Sequence, residues 1–467
     1  MAGKLGFMNS GFGFSFPNNN NDDDDNDQNR NNQNPFGAFS FGSGGGGLGD
    51  MLNQFGQMLS GMGTSMNSDS GEPVNYDMAE RIARQQIGNA GRTSGDDARA
   101  VEDAVKLAEL WLEDATSLPS SHGVAKAMSP EEWLSASLPM WKRMVSPVAK
   151  HMNEAQLESM PEEAREMMGP MVAAMGQMSS MNFGMQLGHA LGDLAKQSLS
   201  GSDFGLPVVP AGTTALMPGA ITKVSQDVSV PAQEVLVYIA AREAARQRLF
   251  KHVPWLVERL VSSVEEYALG LVIDTSHIEE ATRELNLESG DPAQLQDAIS
   301  KLQGMDLSPR IRSRNEQATV RLETLLALVE GWVDVVVAEA MGERVPSTDA
   351  LNEAWRRRRA TGGSAEQAFA NVVGIELGAP RVSDAAQLWS RSTSAVGIER
   401  RDKVWDHPDF LPTSEHLDNP AAFIDSLLDE APSKEFDEEF AKLEEMLRNE
   451  DNNDKDGNEN KGSDSEA

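Results

Sequence analysis

The chain has 467 residues, of which 39% are hydrophobic, enough for two or three average domains or for one large domain with tails. It contains no cysteine, which excludes disulfides, thiolate zinc ligands and cysteine nucleophiles and fits a reducing cytoplasm. With 73 acidic and 40 basic side chains the formal net charge is −33, so we expect neither nucleic acid nor an anionic membrane as a general partner.

The first 75 residues are predicted to form a disordered tail. They contain an Asn/Asp-rich run over residues 18–34 and a glycine run over residues 44–47, with little apolar surface to offset the entropy of ordering. We find no secretory signal in this stretch, because its start lacks an apolar core of adequate length. Scattered aromatic residues could instead act as weak adhesive points for a partner: Phe12, Phe14, Phe16, Phe36, Phe39 and Phe41.

Helical patterns dominate from about Tyr76 onward. Residues 97–115 place an apolar face at three- and four-residue spacing, made of Val101, Ala104, Val105, Ala108, Trp111 and Leu112. Ser129, Pro130 and Glu132 predict the start of another helix, with a serine cap, a proline at the first position and a glutamate that reaches back. We expect Pro139 to kink or end that helix.

Residues 140–185 are rich in methionine. Such a segment could be an adaptable binding surface, although a loosely specified core is the simpler interpretation. Near its end Gly184, Gly188 and Gly192 recur every four residues, which predicts a helix face that permits close contact with a neighbouring helix.

A short irregular part over residues 206–230 predicts one or two short strands, because it is rich in proline and β-branched residues. Long helices are predicted over residues 231–252, 254–271, 291–304 and 315–342. Within the last of these, residues 325–341 are strongly apolar but carry three acidic side chains, so they indicate a buried helix and not a membrane span.

The chain turns acidic again near its end. Residues 436–447 could form a short amphipathic helix, whereas the residues beyond 449 have almost nothing to bury. The sequence therefore predicts three parts: a disordered tail over residues 1–75, one helical domain over residues 76–428, and an acidic, largely disordered tail over residues 429–467.

Two segments carry the chemistry of interest. Residues 234–256 read EVLVYIAAREAARQRLFKHVPWL, with Arg242-Glu243-Ala244-Ala245-Arg246 followed by a Val-Pro-Trp-Leu turn at residues 253–256. Residues 326–336 read LALVEGWVDVV and contain Glu330, Gly331 and Trp332. Towards the end, Val404-Trp405, Leu411-Pro412-Thr413 and Asn419-Pro420 complete the pattern.

In their order and separation these segments resemble the actinobacterial zincin-like metalloprotease and hydrolase family over about residues 76–425. The resemblance implies a mainly α, zincin-like helical domain with a small β element. It also implies a zinc-binding H-E-x-x-H helix and a later helix that reads Glu-Gly-His. In this chain Arg242, Arg246 and Trp332 stand where the histidines belong, while Glu243 and Glu330 are kept.

Zinc in such a site needs two neutral imidazoles four residues apart, with the intervening glutamate acting on a bound water. A guanidinium offers no lone pair and stays charged, so we expect no metal, no cofactor and no confidently assigned catalytic residue at this remnant site. We hypothesise that Glu330 pairs with Arg242, Arg246 or both, and that Glu243 pairs with Arg246. The alternative is that both arginines are simply exposed on a polar helix face.

Other motifs are weaker. No two of the seven histidines lie three to five residues apart, so no local ligand pair exists: His122, His151, His189, His252, His277, His407 and His416. Trp355 followed by Arg356–Arg359 could grip phosphate or RNA, but a solvated helix face that pairs with acidic neighbours is the favoured interpretation.

These observations leave three hypotheses for function. The first is a non-catalytic, cytoplasmic scaffold that lacks zinc and acts through contacts with an unknown protein partner. The second is a hydrolase that binds metal elsewhere, or that uses Glu243 and Glu330 without metal. The third is a phosphate or nucleic-acid binder that uses the arginine clusters.

Overall fold

The computed structural model describes residues 72–89, 91–158, 169–274, 310–361, 363–373 and 377–429. Both predicted tails lie outside these ranges, apart from residues 72–75 at the end of the first and Asp429 at the start of the second. So do the helices predicted over residues 291–304 and 436–447.

Two capped helices open the described part: α1 spans Tyr76–Ile87 and α2 spans Gly95–Leu112. The Asn75 side chain accepts a hydrogen bond from the Met78 amide, and Ser94 and Asp97 form a reciprocal capping box at the start of α2. On α2 the predicted apolar face is confirmed, because five of its six residues are buried and Trp111 is half-buried.

Two long helices follow, α3 over Pro130–Glu158 and α4 over Gly169–Gln197. The predicted start of α3 is confirmed: the Ser129 amide donates to Glu132 Oε2 at 2.8 Å and the Glu132 amide donates to Ser129 Oγ at 3.3 Å. The helix does not end at Pro139. Neighbouring apolar side chains are buried, among them Leu138 and Trp141, and their packing offsets the hydrogen bond that a proline removes.

Strands are few and short. Strand β1, Val124–Ala127, pairs in parallel with β2, Thr213–Leu216, in the register Val124↔Thr213 to Ala127↔Leu216. Strand β3, Leu271–Asp274, pairs antiparallel with β4, Arg310–Ser313. Of the one or two strands predicted over residues 206–230, β2 is present, and the residues after it form helix α5, Pro218–Val228, which has a proline at its first position.

The core is built around two helices that are buried on nearly all sides. These are α6, Ala232–His252, and α8, Glu316–Met341; α7, Pro254–Leu269, leads from the first towards the second. Helix α6 packs against α2, α5, α7, α8 and β2. A helix that is buried on nearly all sides lies at the centre of the protein, so the charged side chains of α6 and α8 are held away from water and need partners there.

Five further helices follow α8 in the described part of the chain. They are α9 over Thr348–Ala360, α10 over Ala365–Val372, α11 over Val382–Lys403, α12 over Ser414–Asp418 and α13 over Pro420–Asp429. Two 3-10 turns, Val404–Asp406 and Pro408–Phe410, separate α11 from α12. Gly397 interrupts α11 with φ of 80°, a conformation that glycine adopts without strain.

The mainly α fold with a small β element is therefore confirmed. Within the described ranges no helix combines the length and the apolar character that a membrane span requires, and the apolar residues 325–341 lie inside the buried helix α8.

The glycine-lined face of α4 generates a stability prediction. A Cβ added at Gly188 would lie 2.7 Å from the Ala79 carbonyl oxygen and 2.8 Å from Ile82 Cβ on α1. We expect Gly188→Ala to lower the free energy of unfolding by about 1–3 kcal/mol, because the two backbones must move apart. Urea unfolding followed by circular dichroism measures this change.

The matched control is Gly176→Ala on the same helix, where an added Cβ meets nothing within 4 Å. Alanine there is expected to stabilise by about 0.5–1 kcal/mol, since it lowers the entropy lost on folding. Equal effects of the two substitutions would contradict close packing of α1 on α4.

Candidate functional site

The remnant site lies where α6 crosses α8. Arg242 and Arg246 are one turn apart on α6, so their side chains point to the same side, and Glu330 on α8 faces them. The side chain of Arg242 is 1% exposed, that of Arg246 is 0% and that of Glu330 is 7%. The alternative that both arginines are exposed on a polar face is therefore wrong.

Glu330 binds both guanidinium groups at once. Its Oε2 accepts hydrogen bonds from Arg242 Nη2 and from Arg246 Nη2, each at 2.9 Å, and its Oε1 accepts one from Arg246 Nε at 2.6 Å. The hypothesis that Glu330 pairs with the arginines is confirmed for both of them. A carboxylate shared between two guanidiniums turns their mutual repulsion into net attraction.

Two further residues complete the cluster, and the sequence did not single out either for this role. Arg242 Nη1 donates to Asp334 Oδ1 at 2.7 Å, and Arg359 Nη1 donates to the same oxygen at 2.9 Å while its Nη2 contacts Asp334 Oδ2. Arg359 Nη1 also lies 3.6 Å from Glu330 Oε2. We call Arg242, Arg246, Glu330, Asp334 and Arg359 the arginine–carboxylate cluster.

The cluster shifts the pKa of its carboxylates. Burial by itself raises the pKa of Glu330, but the charges of Arg246, Arg242 and Arg359 outweigh burial and lower the pKa to about 2. The pKa of Asp334 is lowered for the same reason, with Arg242 and Arg359 overcoming its burial. Both carboxylates are therefore ionised at neutral pH, as a buried guanidinium requires of its partner.

Aromatic rings close the cluster on one side. The guanidinium carbon of Arg242 lies 5.3 Å from the ring centroid of Trp355 and 5.9 Å from that of Tyr238. The two rings meet edge to face at 5.8 Å. A cation over the face of an aromatic ring is attracted by the electrons of that ring. The two rings therefore help to stabilise the buried guanidinium of Arg242 in place of water.

Glu243 lies on the other side of Arg246 and does not join the cluster through a hydrogen bond. Its Oε2 accepts from the Ser202 amide at 3.0 Å and from Ser202 Oγ at 2.7 Å, and its Oε1 accepts from Gln247 Nε2 at 3.0 Å. Arg246 Nη1 lies 3.9 Å from Oε2, so the expected pairing is present as a longer ion pair. Complete burial raises the pKa of Glu243 despite the nearby Arg246 and Ser202.

Trp332, the fifth residue expected at the remnant site, contacts a different set of side chains. Its indole Nε1 donates to Asp402 Oδ1 at 2.8 Å, and its ring meets Trp405 edge to face at 6.4 Å. Residues two positions apart on a helix do not share a face, which is why Glu330 and Trp332 diverge. Its placement in one site with the two arginines is therefore a correction to the sequence interpretation.

The basic run on α9 divides between surface and interior. Arg356 and Arg357 are exposed and pair with Glu353 at 3.1 Å and 3.7 Å, as expected for a solvated helix face. Arg358 binds Asp203 at 2.7 Å, and Arg359 is buried in the arginine–carboxylate cluster. The four-residue step from Trp355 to Arg359 puts both on the buried side of α9. That spacing in the sequence could have identified Arg359 as a buried residue.

Stability should depend on the charge of Glu330. Replacing it by glutamine leaves Arg242 and Arg246 without a full counter-charge, so we expect Glu330→Gln to cost about 3–5 kcal/mol in the free energy of unfolding at pH 7. The exposed partner of Arg356 provides a control, because Glu353→Gln should cost less than about 1 kcal/mol. Similar losses for the two variants would contradict the pairing.

Wild type and the Glu330→Gln variant also give a test of pH dependence. The pKa of Glu330 lies below its ordinary value of 4.5 in the folded chain, so its contribution is complete above that value and is lost as the pH falls towards 2. The stability difference between wild type and Glu330→Gln should therefore shrink over that interval in urea titrations. A difference that stays constant with pH would exclude an ionic role.

Comparison with known proteins agrees with this architecture. The sequence model described as "Zincin-like metallopeptidase" matches residues 74–424. A crystal structure of a "putative hydrolase with a novel fold" from Chloroflexus aurantiacus superimposes with a TM-score of 0.54 at 17% identity, covering 76% of this chain and 99% of that one. At this identity the likeness concerns the fold alone. A search of curated proteins gave no match. On the strength of the sequence match over most of its length, the chain belongs to the zincin-like metallopeptidase family.

Proposed function

We propose that this chain is a non-catalytic member of the zincin-like family, in which an arginine–carboxylate cluster takes the place of a zinc site. It acts as a scaffold through contacts with other proteins. The observation that carries the proposal is the binding of both Arg242 and Arg246 by Glu330, with all three side chains buried.

The chemistry of the donor atoms does not fit a zinc ion. Zinc takes neutral imidazole, thiolate or carboxylate ligands, whereas the nitrogens around Glu330 are guanidinium groups without a free lone pair. Both Glu330 oxygens already accept hydrogen bonds from these groups. Three guanidiniums close together also repel a cation. In the parts of the chain that the structure describes, no three His, Asp or Glu side chains come together as a metal site requires.

The position of Glu243 argues against a general base that works without metal. Its carboxylate is completely buried and both its oxygens accept hydrogen bonds from Ser202 and Gln247. The cavity next to the cluster, lined by Asp203, Glu330 and other residues, measures about 10 Å³, which is room for one water molecule. Glu243 does not line that cavity and is fully buried, so a peptide substrate does not reach it in this arrangement.

The arrangement of the arginines also disfavours binding of phosphate or nucleic acid. Arg358 and Arg359 satisfy internal carboxylates, which leaves Arg356 and Arg357 as the exposed members of the run, and both pair with Glu353. Two surface cations on a chain of formal charge −33 do not offset its long-range repulsion of polyanions.

Zinc content tests the proposal. We expect the purified full-length protein, dialysed against zinc-free buffer, to retain far less than one zinc per chain by mass spectrometry of the metal, and to leave casein intact. Replacing both arginines in Arg242→His/Arg246→His should create zinc uptake, with Glu330 as a third ligand on the facing helix.

The matched control is Arg242→Gln/Arg246→Gln, which removes the same charges without supplying imidazoles and should bind no zinc. Stoichiometric zinc in the wild type that disappears in the glutamine variant would contradict the proposal at this site. Stoichiometric zinc in all three proteins would instead favour a hydrolase with a metal bound elsewhere.

A further inference from the structure

The two-stranded sheet formed by β1 and β2 has one edge that is open at Val124 and Ala125, whereas Ala127 further along it is buried. The Val124 amide donates to the Gly212 carbonyl and the Met128 amide donates to the Leu216 carbonyl, both at 2.8 Å. Because the direction of the backbone groups alternates along a strand, the N–H and C=O groups of Ala125 and Ala127 point away from β2. Among the described residues these outward groups have no hydrogen-bond partner.

A groove runs along this edge between β1 and α2. It has a volume of about 410 Å³, in the size range of sites that bury a ligand, and its lining includes Val105 and Glu102 from α2 and Val124 and Ala125 from β1. Val124 is 70% exposed. The groove has an apolar part, made of Val105, Val124 and Ala125, beside charged side chains of α2 and polar residues of the loop before β1. An open strand edge beside such a groove favours an extended peptide, whose backbone completes the ladder while alternate side chains enter the groove.

The chain itself contains a segment with the required alternation. Residues 12–16 read Phe-Gly-Phe-Ser-Phe, so three aromatic side chains would share one side of an extended strand and the small residues the other. We propose that residues 12–16 of this same chain add to the open edge of β1 as a third strand and place the side chains of Phe12, Phe14 and Phe16 in the groove.

Charge favours residues 12–16 over the second aromatic segment, residues 36–42. The α2 wall of the groove has two acids, Glu102 and Glu109, and one lysine, Lys106. Lys4 is the single charged side chain in residues 1–17, whereas residues 36–42 follow the acidic run at residues 22–27. Both acids already have a basic partner, Glu102 with Lys106 at 3.8 Å and Glu109 with Arg248 at 2.6 Å, so neither acid of this wall is unpaired. A groove whose charges are paired suits the uncharged residues 12–16, whereas the acidic run beside residues 36–42 would lose hydration on approaching it.

The connection is long enough. The 55 residues between Phe16 and Glu72 correspond to an end-to-end distance of about 40 Å for a chain without regular structure. A domain of about 350 residues has a diameter of about 50 Å. Residues 12–16 can therefore reach any face of the domain, and the selection of the β1 edge rests on hydrogen bonding and charge.

Hydrogen exchange of single amides in the full-length protein tests the proposal. In wild type the Ala125 amide should exchange at least about tenfold more slowly than in Phe12→Ser/Phe14→Ser/Phe16→Ser, because the added strand supplies its acceptor. The matched control Phe36→Ser/Phe39→Ser/Phe41→Ser should leave this rate unchanged.

A second variant changes β1 itself and leaves residues 12–16 intact. Ala125→Pro removes the outward N–H group but keeps the bonds that Val124 and Lys126 make to β2, so the Thr214 amide should stay protected. In this variant the amides of residues 12–16 that face β1, which are every second one along the added strand, should lose their protection.

Equal exchange of Ala125 in wild type and in the first triple variant would overturn the proposal. So would protection of Ala125 that survives the triple substitution and rises with protein concentration, since a second copy would then occupy the edge.

Discussion

The pairing of two buried guanidiniums with one carboxylate is the constraint on which the centre of the fold depends. Arg242 and Arg246 on α6 and Glu330 on α8 are removed from water, and none of the three can be buried alone without a large desolvation cost. Arg359 extends the same network to α9 through Asp334. Three helices are thereby held in one relative orientation by charged hydrogen bonds as well as by apolar packing. These hydrogen bonds depend on direction, whereas apolar contacts do not.

The opposite side of α8 is fixed by a different kind of contact. Trp332 donates to Asp402, which also accepts hydrogen bonds from Thr116 Oγ1 and the Ser117 amide, so the end of α11 is tied to the loop after α2. The ring of Trp405 stacks against both Trp255 and Trp389. The Val-Pro-Trp turn after α6 thus packs on the same aromatic group as α8, and it sets where the helix with the two arginines ends.

Much of the fold and part of the site could be predicted from the sequence. The four-residue spacing of Arg242 and Arg246 puts them on one face, and the register of the two family segments brings Glu330 opposite them. Asp334 lies one turn beyond Glu330, a spacing that could have identified it. Arg359 was not predicted as buried, because it belongs to a run of four arginines and such a run is typical of an exposed helix face. Strand β1 was missed because four residues of mixed polarity carry little pattern, and its partner β2 lies far away in the sequence.

An anomalous difference map offers the most direct measurement of the central claim. Crystals of the full-length protein grown with added zinc would be measured on both sides of the zinc absorption edge. The account predicts electron density for both guanidiniums on the Glu330 carboxylate and no anomalous peak beside α6. A zinc peak between residues 242, 246 and 330, with the arginine side chains turned away, would contradict it.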